Sequence, residues 1–294
     1  MRLSIISDEV HEDPSIAFRT IKEEGYNSVE LHSAFAKPIE EWNASELAEI
    51  KRRLKEYDLT VSNLSSTIFF VCPLYEGDEV TGFSDGFYQV YGDVEAHLNH
   101  LKRTCEVAEE LESPVIRLFP FRFPNNRKPP FGDQEDMERI VEAVNRACDV
   151  AEPYGVTLAV ENCPYSRLPK GQMTLELIQK VNRDNLGLLY DPANSYRAER
   201  VNVPERYLNM DLYEETRLVA PWIRHVHVKN YHYDPSVSPK PFLHVDAGSG
   251  DIDFEKLIAI IEESGYQGAY SLEPEVDEEG TIRSMRWMKE TFGK

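Results

Sequence analysis

The chain has 294 residues, of which 41% are apolar and 29% charged, and nothing in its composition divides it, so we expect a single domain over residues 1–294. Its formal net charge of −20 argues against a nucleic-acid or anionic-membrane partner, because proteins that bind these surfaces carry a basic patch. No run approaches the roughly 20 apolar residues of a membrane span, and the four cysteines contain no CxxC pair, so we expect a cytoplasmic protein with reduced thiols.

Short apolar runs alternate with amphipathic helical segments along the whole chain. The first run, RLSIIS, leads into a helix opened by Asp13 and Pro14, which suit an N-cap and a first helical turn. Seven further strand–helix pairs follow, and their strands are SVELHS, TVSNLSST, PVIRLFPF, TLAVENC, LGLLYDPANS, RHVHVKN and GAYSLEPE. This alternation predicts an α/β fold with a parallel sheet, and eight such units in this length favour a (β/α)8 TIM barrel.

Three long segments after strands are predicted to be loops, over residues 68–91, 122–133 and 231–250. In a TIM barrel the loops after the strands surround the end at which active sites lie. Helices are predicted from about Ser45 to Tyr57, from Val94 to Leu111 and around 137–151. His11, His97 and His100 are expected on the surface, and His244 is expected either to contact the site from its loop or to be exposed.

The strands show a two-residue period, with apolar side chains on one face and polar or small ones on the other. In TLAVENC this period turns Leu158 and Val160 toward the helices and Glu161 into the barrel. In RHVHVKN it turns both histidines inward. Parallel strands are usually apolar throughout, and isolated buried carboxylates are costly unless they are neutralised. An interior of this kind calls for a compensating cation.

Four residues at the carboxyl ends of predicted strands five to eight are candidate metal ligands, namely Glu161, Asp191, His227 and Glu273. Three carboxylates and one imidazole suit Mn²⁺ best, with Mg²⁺ or Co²⁺ as alternatives and Zn²⁺ ranked after them. His225 lies one layer deeper and would orient a ligand from behind. The alternative interpretation is that Arg117 and Lys229 neutralise the acids as ion pairs.

Several pieces of the sequence resemble the sugar phosphate isomerase/epimerase superfamily of xylose isomerase-like TIM barrels. The resemblance covers essentially the whole chain and lies in ISDE, VEL, VEN, YDPAN, HVHVK, GSGDIDF and SLEPE. It implies that the four candidates above are the metal ligands and that Glu161 and Glu273 are also the catalytic acid and base. In ketose epimerases of the superfamily, the residue three after the metal-binding Asp is often His. Here it is Asn194, which can donate a hydrogen bond but cannot carry a proton.

These observations predict a metal-dependent isomerase or epimerase that removes a proton next to the carbonyl of a sugar or related hydroxy-ketone, through an enediolate. The residues expected to contact the substrate are Asn194, Arg117, Glu30, His32 and Lys229. The alternative is a dehydratase, a lyase acting on a keto-polyol such as inosose or dehydroshikimate, which shares the first step. A non-catalytic barrel subunit and a DNA-repair enzyme like endonuclease IV rank below both.

The expected partner is a small carbohydrate. Acidic loops mildly disfavour a strongly anionic substrate, and the sequence has no specific phosphate-binding loop. A homo-oligomer is expected from the resemblance, since members of the superfamily often form dimers or tetramers.

Overall fold

In a computed structural model, which describes residues 1–84 and 86–293, eight parallel strands curl into a barrel. The strands are β1 (Arg2–Ile5), β2 (Ser28–Leu31), β3 (Thr60–Leu64), β4 (Val115–Leu118), β5 (Thr157–Glu161), β6 (Leu186–Tyr190), β7 (Ile223–Val228) and β8 (Ala269–Leu272). They pair in the order β1-β8-β7-β6-β5-β4-β3-β2. A parallel bridge between Ile6 and Glu30 joins the two ends of this sheet. The predicted (β/α)8 TIM barrel is confirmed.

Among the described residues, one longer helix follows each strand and packs outside the barrel. These helices are α1 (Pro14–Glu23), α2 (Ala44–Glu56), α3 (Val94–Leu111), α4 (Gln134–Ala151), α5 (Gly171–Val181), α6 (Leu212–Val219), α7 (Phe254–Glu263) and α8 (Glu278–Phe292). As predicted, Asp13 caps α1, and its side chain accepts a hydrogen bond from the Ser15 amide. In the described part of the chain, none of the helices is long and apolar enough to cross a membrane.

Shorter elements lie in the loops at the carboxyl ends of the strands. Helices Ser7–Val10 and Pro192–Arg197 follow β1 and β6 directly. A small hairpin, Ser33–Ala34 with Lys37–Pro38, follows β2. The segment after β7, predicted to be a loop, contains a second hairpin in which Asn230–Tyr233 pairs antiparallel with Phe242–Val245.

The apolar core lies between the strands and the outer helices, as the two-residue period predicted. Leu158 and Val160 are fully buried in this core. The barrel interior instead holds polar pairs, such as the hydroxyl groups of Ser4 and Ser62 at 2.7 Å. The site therefore rests on a polar interior that is closed off from solvent.

The predicted surface position of His97 is wrong, because His97 is fully buried. Its Nδ1 accepts a hydrogen bond from the Phe69 amide at 3.0 Å, and its Nε2 lies 3.2 Å from the Val71 carbonyl oxygen. Helix α3 thus holds the backbone of the loop after β3 through this imidazole. The four cysteines are buried free thiols.

Candidate active site

The four candidate metal ligands meet at the carboxyl end of the barrel. Glu161 ends β5, Asp191 and Glu273 directly follow β6 and β8, and His227 is the last residue but one of β7. Each offers one ligand atom, and these four atoms all lie within 4.8 Å of one another. The structure thus brings together the residues that the sequence grouped.

Two buried side-chain atoms of this cluster have no hydrogen-bond partner in residues 1–84 and 86–293, namely Asp191 Oδ2 and His227 Nδ1. His227 Nδ1 lies 3.3 Å from Glu273 Oε2, which is within ion-pair distance. The other carboxylate oxygen of Asp191 accepts a hydrogen bond from the Asn194 amide at 2.8 Å, which caps the helix Pro192–Arg197. Lys229 Nζ lies 3.0 Å from Asp191 Oδ2 but is not aligned for a hydrogen bond. Buried polar atoms usually find partners, so the donor set fits a divalent cation.

The ring of His227 is held from below by the buried carboxylate of Glu30. His227 Nε2 lies 2.9 Å from Glu30 Oε1, and His225 Nε2 lies 2.6 Å from Glu30 Oε2. Asn63 donates a further hydrogen bond to Glu30 Oε1 at 2.8 Å. A carboxylate on the far ring nitrogen is the usual way in which a metal-binding histidine is oriented. This arrangement leaves Nδ1 of His227 facing the other three candidates.

This chain of contacts adds to one sequence prediction and contradicts another. His225, expected to orient a ligand from behind, contacts Glu30, which in turn holds His227. Glu30 was expected to contact the substrate, but it is fully buried beneath His227. The reason is that the imidazoles of His227 and His225 contact both of its carboxylate oxygens, and Glu30 is absent from the cavity wall.

Ion pairs surround the candidate ligands, as the alternative interpretation expected. Arg117 Nη1 lies 3.0 Å from Glu161 Oε2 and 3.7 Å from Glu273 Oε1. Lys229 Nζ lies 2.6 Å from Glu273 Oε2 and 2.9 Å from Glu275 Oε1. Two side-chain cations thus face the four carboxylates of Glu161, Asp191, Glu273 and Glu275. The pairs therefore leave an excess of negative charge that a divalent ion would balance.

The pKa shifts show how burial and neighbouring charges act on each member of this cluster. Burial raises the pKa of Asp191 to about 6, although Lys229 opposes the shift. Burial would also raise the pKa of Glu273, but Lys229 and His227 outweigh it and hold that pKa well below its usual value. Burial would lower the pKa of His227, yet Glu273 and Glu30 raise it well above its usual value. A proton on His227 thus provides positive charge that a metal ion would replace.

A cavity of about 300 Å³ includes Glu161 and Glu273 in its walls. Asn194, Arg117 and Lys229 also line this cavity, where the sequence placed substrate contacts. Asn194 Nδ2 donates a hydrogen bond to Glu161 Oε1 at 3.0 Å, so it also orients that carboxylate. A larger cavity of about 610 Å³ lies at the opposite end of the barrel and contains none of the converging carboxylates.

His32, the remaining predicted substrate contact, lies behind the cavity wall. Its ring stacks on Phe87, with ring centroids 4.7 Å apart, and its Nδ1 lies 2.8 Å from Asp8 Oδ2. Phe87 lines the cavity and His32 does not. His32 therefore supports an aromatic wall from outside.

Several cavity residues were missed by the sequence analysis, namely Tyr165, Arg197, Tyr231 and Glu275, and the aromatic residues Phe70, Phe83, Phe87 and Phe119. Tyr165, Arg197 and Tyr231 each follow a candidate ligand by four to six residues, and that spacing was an available signal. Phe70, Phe83 and Phe87 come from the long loop over residues 68–91, where no period indicates which side chains turn inward. Phe119 directly follows β4, two residues after Arg117, so the two-residue period was an available signal for it. His244, left open by the sequence, lies 3.3 Å from Glu275 through its Nε2.

The sequence profile of the xylose isomerase-like TIM barrel family matches residues 18–291. The chain belongs to this family. Among curated relatives, this xylose isomerase-like barrel is 27% identical over 191 residues to an inosose dehydratase of Yersinia enterocolitica, covering 56% of the chain and 58% of the relative. It is 27% identical over 139 residues to an inosose isomerase of Halalkalibacterium halodurans, covering 45% and 44%. The chain thus spans about half the length of the curated relatives it matches.

Solved structures of similar fold cover nearly the whole of this xylose isomerase-like barrel. The IolI protein, solved with a bound zinc atom, has a TM-score of 0.73 at 17% identity and covers 99% of this chain and 98% of its own. D-allulose 3-epimerase from Methylomonas sp., in complex with D-allulose, has a TM-score of 0.69 at 15% identity, covering 99% and 97%. A xylose isomerase-like barrel from Mycobacterium smegmatis, in complex with magnesium, has a TM-score of 0.67 at 18% identity, covering 94% and 87%.

Proposed function

We propose that this protein is a divalent-metal-dependent isomerase or epimerase acting on a small sugar or related hydroxy-ketone. The observation that carries the proposal is the convergence of Glu161, Asp191, His227 and Glu273 beside a cavity lined by Glu161 and Glu273. Asp191 Oδ2 and His227 Nδ1 are buried there and make no hydrogen bond in the described chain. The isomerase and epimerase names among the similar proteins support it.

These four residues would hold the ion, with Mn²⁺ as our first choice, Mg²⁺ or Co²⁺ as alternatives and Zn²⁺ after them. When bound, such an ion supplies positive charge that stabilises the negative charge developing on a carbonyl oxygen as the neighbouring proton leaves. Glu30 and His225 would keep the free nitrogen of His227 directed at it.

Glu161 and Glu273 would move the protons. Both carboxylates lie at the cavity, and each has fixed partners, which are Arg117 and Asn194 for Glu161 and Lys229 for Glu273. One carboxylate would remove the proton next to the carbonyl, and the other would return a proton to the resulting enediolate. Return to the opposite face of the same carbon gives an epimer, and return to the adjacent carbon gives an isomer.

Arg117, Lys229 and Asn194 would bind and orient the substrate oxygens. The two cations place positive charge beside the position where an enediolate would carry negative charge. The walls nearby are aromatic, with Phe70 packing against Phe119 at a centroid distance of 4.6 Å. Such walls exclude water and strengthen the electrostatic contacts within the cavity.

A dehydratase is the second candidate. Two of the similar curated relatives are named inosose dehydratase, and Asn194 stands where ketose epimerases of the superfamily often have His. Elimination would begin with the same proton transfer to a glutamate. A protonated Lys229 would then donate a proton to the departing β-hydroxyl.

Proton exchange from D₂O tests both candidates together. The Mn²⁺-supplemented protein would be mixed with free ketoses, inososes and keto-acids, and deuterium at the carbon next to the carbonyl would be read by NMR. We expect deuterium incorporation into at least one compound. An absorbing unsaturated carbonyl product would indicate the dehydratase, and interconversion of ketoses the isomerase or epimerase.

Glu161→Gln provides the decisive variant. It should abolish exchange and retain the circular dichroism spectrum of the wild type, because the amide keeps the shape of the side chain but cannot accept the proton. The matched control is Glu142→Gln on the exposed face of α4, which should exchange at the wild-type rate. Near-normal exchange by Glu161→Gln would rule out its role as an acid or base.

A further inference from the structure

Three side chains form a second polar layer in the cavity, which we name the arginine–tyrosine wall: Tyr165, Arg197 and Tyr231. Each lies four to six residues beyond a candidate ligand, in the pairs Glu161 and Tyr165, Asp191 and Arg197, His227 and Tyr231. β5, β6 and β7 are neighbours in the barrel. The three wall residues therefore follow the same order around the barrel as the ligands that precede them, and each lies farther along the chain from the end of its strand. A substrate reacting at the ligand layer would extend toward it.

The guanidinium of Arg197 is held between the two tyrosines. Its Nη1 donates a hydrogen bond to the Tyr231 hydroxyl oxygen at 3.0 Å, and its Nη2 donates one to that of Tyr165 at 2.7 Å. Its central carbon lies 4.9 Å from the Tyr165 ring centroid and 5.2 Å from that of Tyr231. These two hydrogen bonds use two of the five N–H groups of an arginine. Three donors therefore remain for a ligand.

Arg197 differs in its charge environment from the other two cations that line the cavity. Arg117 pairs with Glu161, and Lys229 pairs with three carboxylates. Within residues 1–84 and 86–293, no carboxylate lies within salt-bridge distance of Arg197. The residue is half-buried, in a chain whose net charge is −20. A partly buried cation without a counter-charge is costly, and a negative group on a ligand would offset that cost.

We infer that Arg197 binds an oxyanion, a carboxylate or phosphate group, at the end of the substrate remote from the reacting carbons. A guanidinium presents parallel N–H groups that match two oxygens of either anion. The inference rests on the proposed function only in placing the reacting carbons at the four ligands. Tyr165 and Tyr231 position Arg197 and leave its free donors available. This assignment departs from the expectation that the acidic loops disfavour an anionic substrate.

Unreactive polyols test this binding site without relying on turnover. D-glucitol, D-gluconate and D-glucitol 6-phosphate share a six-carbon chain and differ in charge at one end, and none carries a ketone. Their affinities for the full-length protein would be measured by calorimetry, once with added Mn²⁺ and once in EDTA. We expect at least one of the two anions to bind tenfold or more tightly than D-glucitol. Tighter binding of gluconate identifies a carboxylate site, and tighter binding of the phosphate a phosphate site.

Variants then assign the preference to Arg197. Arg197→Gln should weaken binding of the preferred anion at least tenfold and leave D-glucitol binding unchanged. Arg197→Lys keeps the charge without the paired N–H geometry and should lose part of the preference. The matched control is Arg200→Gln, an exposed arginine three residues away, which should behave as the wild type. The wild-type comparison of the three polyols stands even if an Arg197 variant does not fold.

The inference is overturned if the three polyols bind alike, if none binds, or if Arg197→Gln keeps the anion preference. Its failure is separable from that of the proposed function. Deuterium exchange with a neutral ketose and no preference for the anions would uphold the chemistry and reject the anion site. A preference for an anion that depends on Arg197, with no deuterium exchange in any ketose or keto-acid, would uphold the anion site and reject the proposed chemistry.

Discussion

Glu30 is the residue on which the orientation of His227 depends, because its two oxygens accept from His227 and His225 at 2.9 and 2.6 Å. Glu30→Gln leaves one carbonyl oxygen to serve both imidazoles and places an NH₂ group against the other. We therefore expect Mn²⁺ affinity to fall by about 10- to 100-fold, the usual effect of removing such a partner. Calorimetric titration with Mn²⁺ measures the change.

The comparison needs a variant that removes a similar charge elsewhere. Glu142→Gln on the surface of α4 serves this purpose, since it lowers the negative charge by the same amount and contacts neither histidine. If both variants bind Mn²⁺ as tightly as the wild type, Glu30 does not control the orientation of His227 as a metal ligand.

The inward direction of residues and their relative depth along one strand could be predicted from the sequence, whereas their depth relative to residues on other strands could not. The two-residue period correctly turned Glu161 and His227 into the barrel. It also turned Glu30 inward, but its carboxylate lies below the cavity floor and contacts two histidines. Depth depends on how far each strand is staggered against its neighbours, which is a property of the closed barrel. One strand read alone carries no information about that stagger.

Arg167 joins three separate elements of the chain through buried ion pairs. Its Nη2 lies 2.8 Å from Asp78 in the loop after β3, and its Nη1 lies 2.7 Å from Asp136 in the first turn of α4. All three side chains are at most 5% exposed. Asp78→Asn should lower the free energy of unfolding by about 3 kcal/mol, because it leaves a buried guanidinium with one charged partner instead of two. Urea denaturation measures this quantity.

An exposed ion pair provides the contrast. Asp149 pairs with Arg183 at 2.7 Å, and its side chain is 66% exposed. Asp149→Asn should change the free energy of unfolding by less than about 1 kcal/mol, as is typical of surface pairs. Equal effects of the two substitutions would mean that burial does not strengthen the Arg167 pairs.

His97 makes the attachment of α3 to the loop after β3 sensitive to pH. Burial lowers the pKa of His97 from 6.5 to about 4. The unfolded chain therefore takes up this proton at a higher pH than the folded protein does. The contribution of His97 to the free energy of unfolding is fully present above about pH 6.5. It is lost as the pH falls toward 4, and the total loss is about 3 kcal/mol. Unfolding free energies of the wild type and His97→Gln, measured from pH 7 to pH 4.5, should converge as the pH falls. Parallel pH curves would contradict this assignment.

The strands and helices were largely predictable, and the loops were not. Helix α3 spans Val94–Leu111 as predicted, because its apolar face is long and regular. Helix α4 begins at Gln134, three residues before the predicted start, because Asp133 caps it and accepts from the Asp136 amide. The hairpin of Asn230–Tyr233 and Phe242–Val245 was missed. Only its first residues, Asn230 and Tyr231, are buried, and the remaining positions are half-buried or exposed, so the hairpin lacks the regular apolar pattern of the barrel strands.

At the scale of the whole molecule, the candidate site spans four neighbouring strands of one closed sheet. An ion bound there would link β5, β6, β7 and β8 and would bind the folded chain only. Ligands of this kind raise the free energy of unfolding by RT ln(1 + [L]/Kd), about 2.7 kcal/mol at a concentration of 100 Kd. The net charge of −20 complicates the measurement, because any divalent cation also reduces repulsion across the surface.

Asp191→Asn separates the two effects of a divalent cation. Asparagine is as good an N-cap as aspartate, so the helix Pro192–Arg197 should keep its start while the site loses one carboxylate. We expect Mn²⁺ to raise the melting temperature of the wild type by several degrees more than that of Asp191→Asn, and EDTA to reverse the difference. The rise in melting temperature that Mn²⁺ still causes in Asp191→Asn measures how much the cation stabilises the protein by reducing repulsion across its surface. If Mn²⁺ stabilises both proteins equally, the four side chains do not bind an ion, and Arg117 and Lys229 alone neutralise the carboxylates at the end of the barrel.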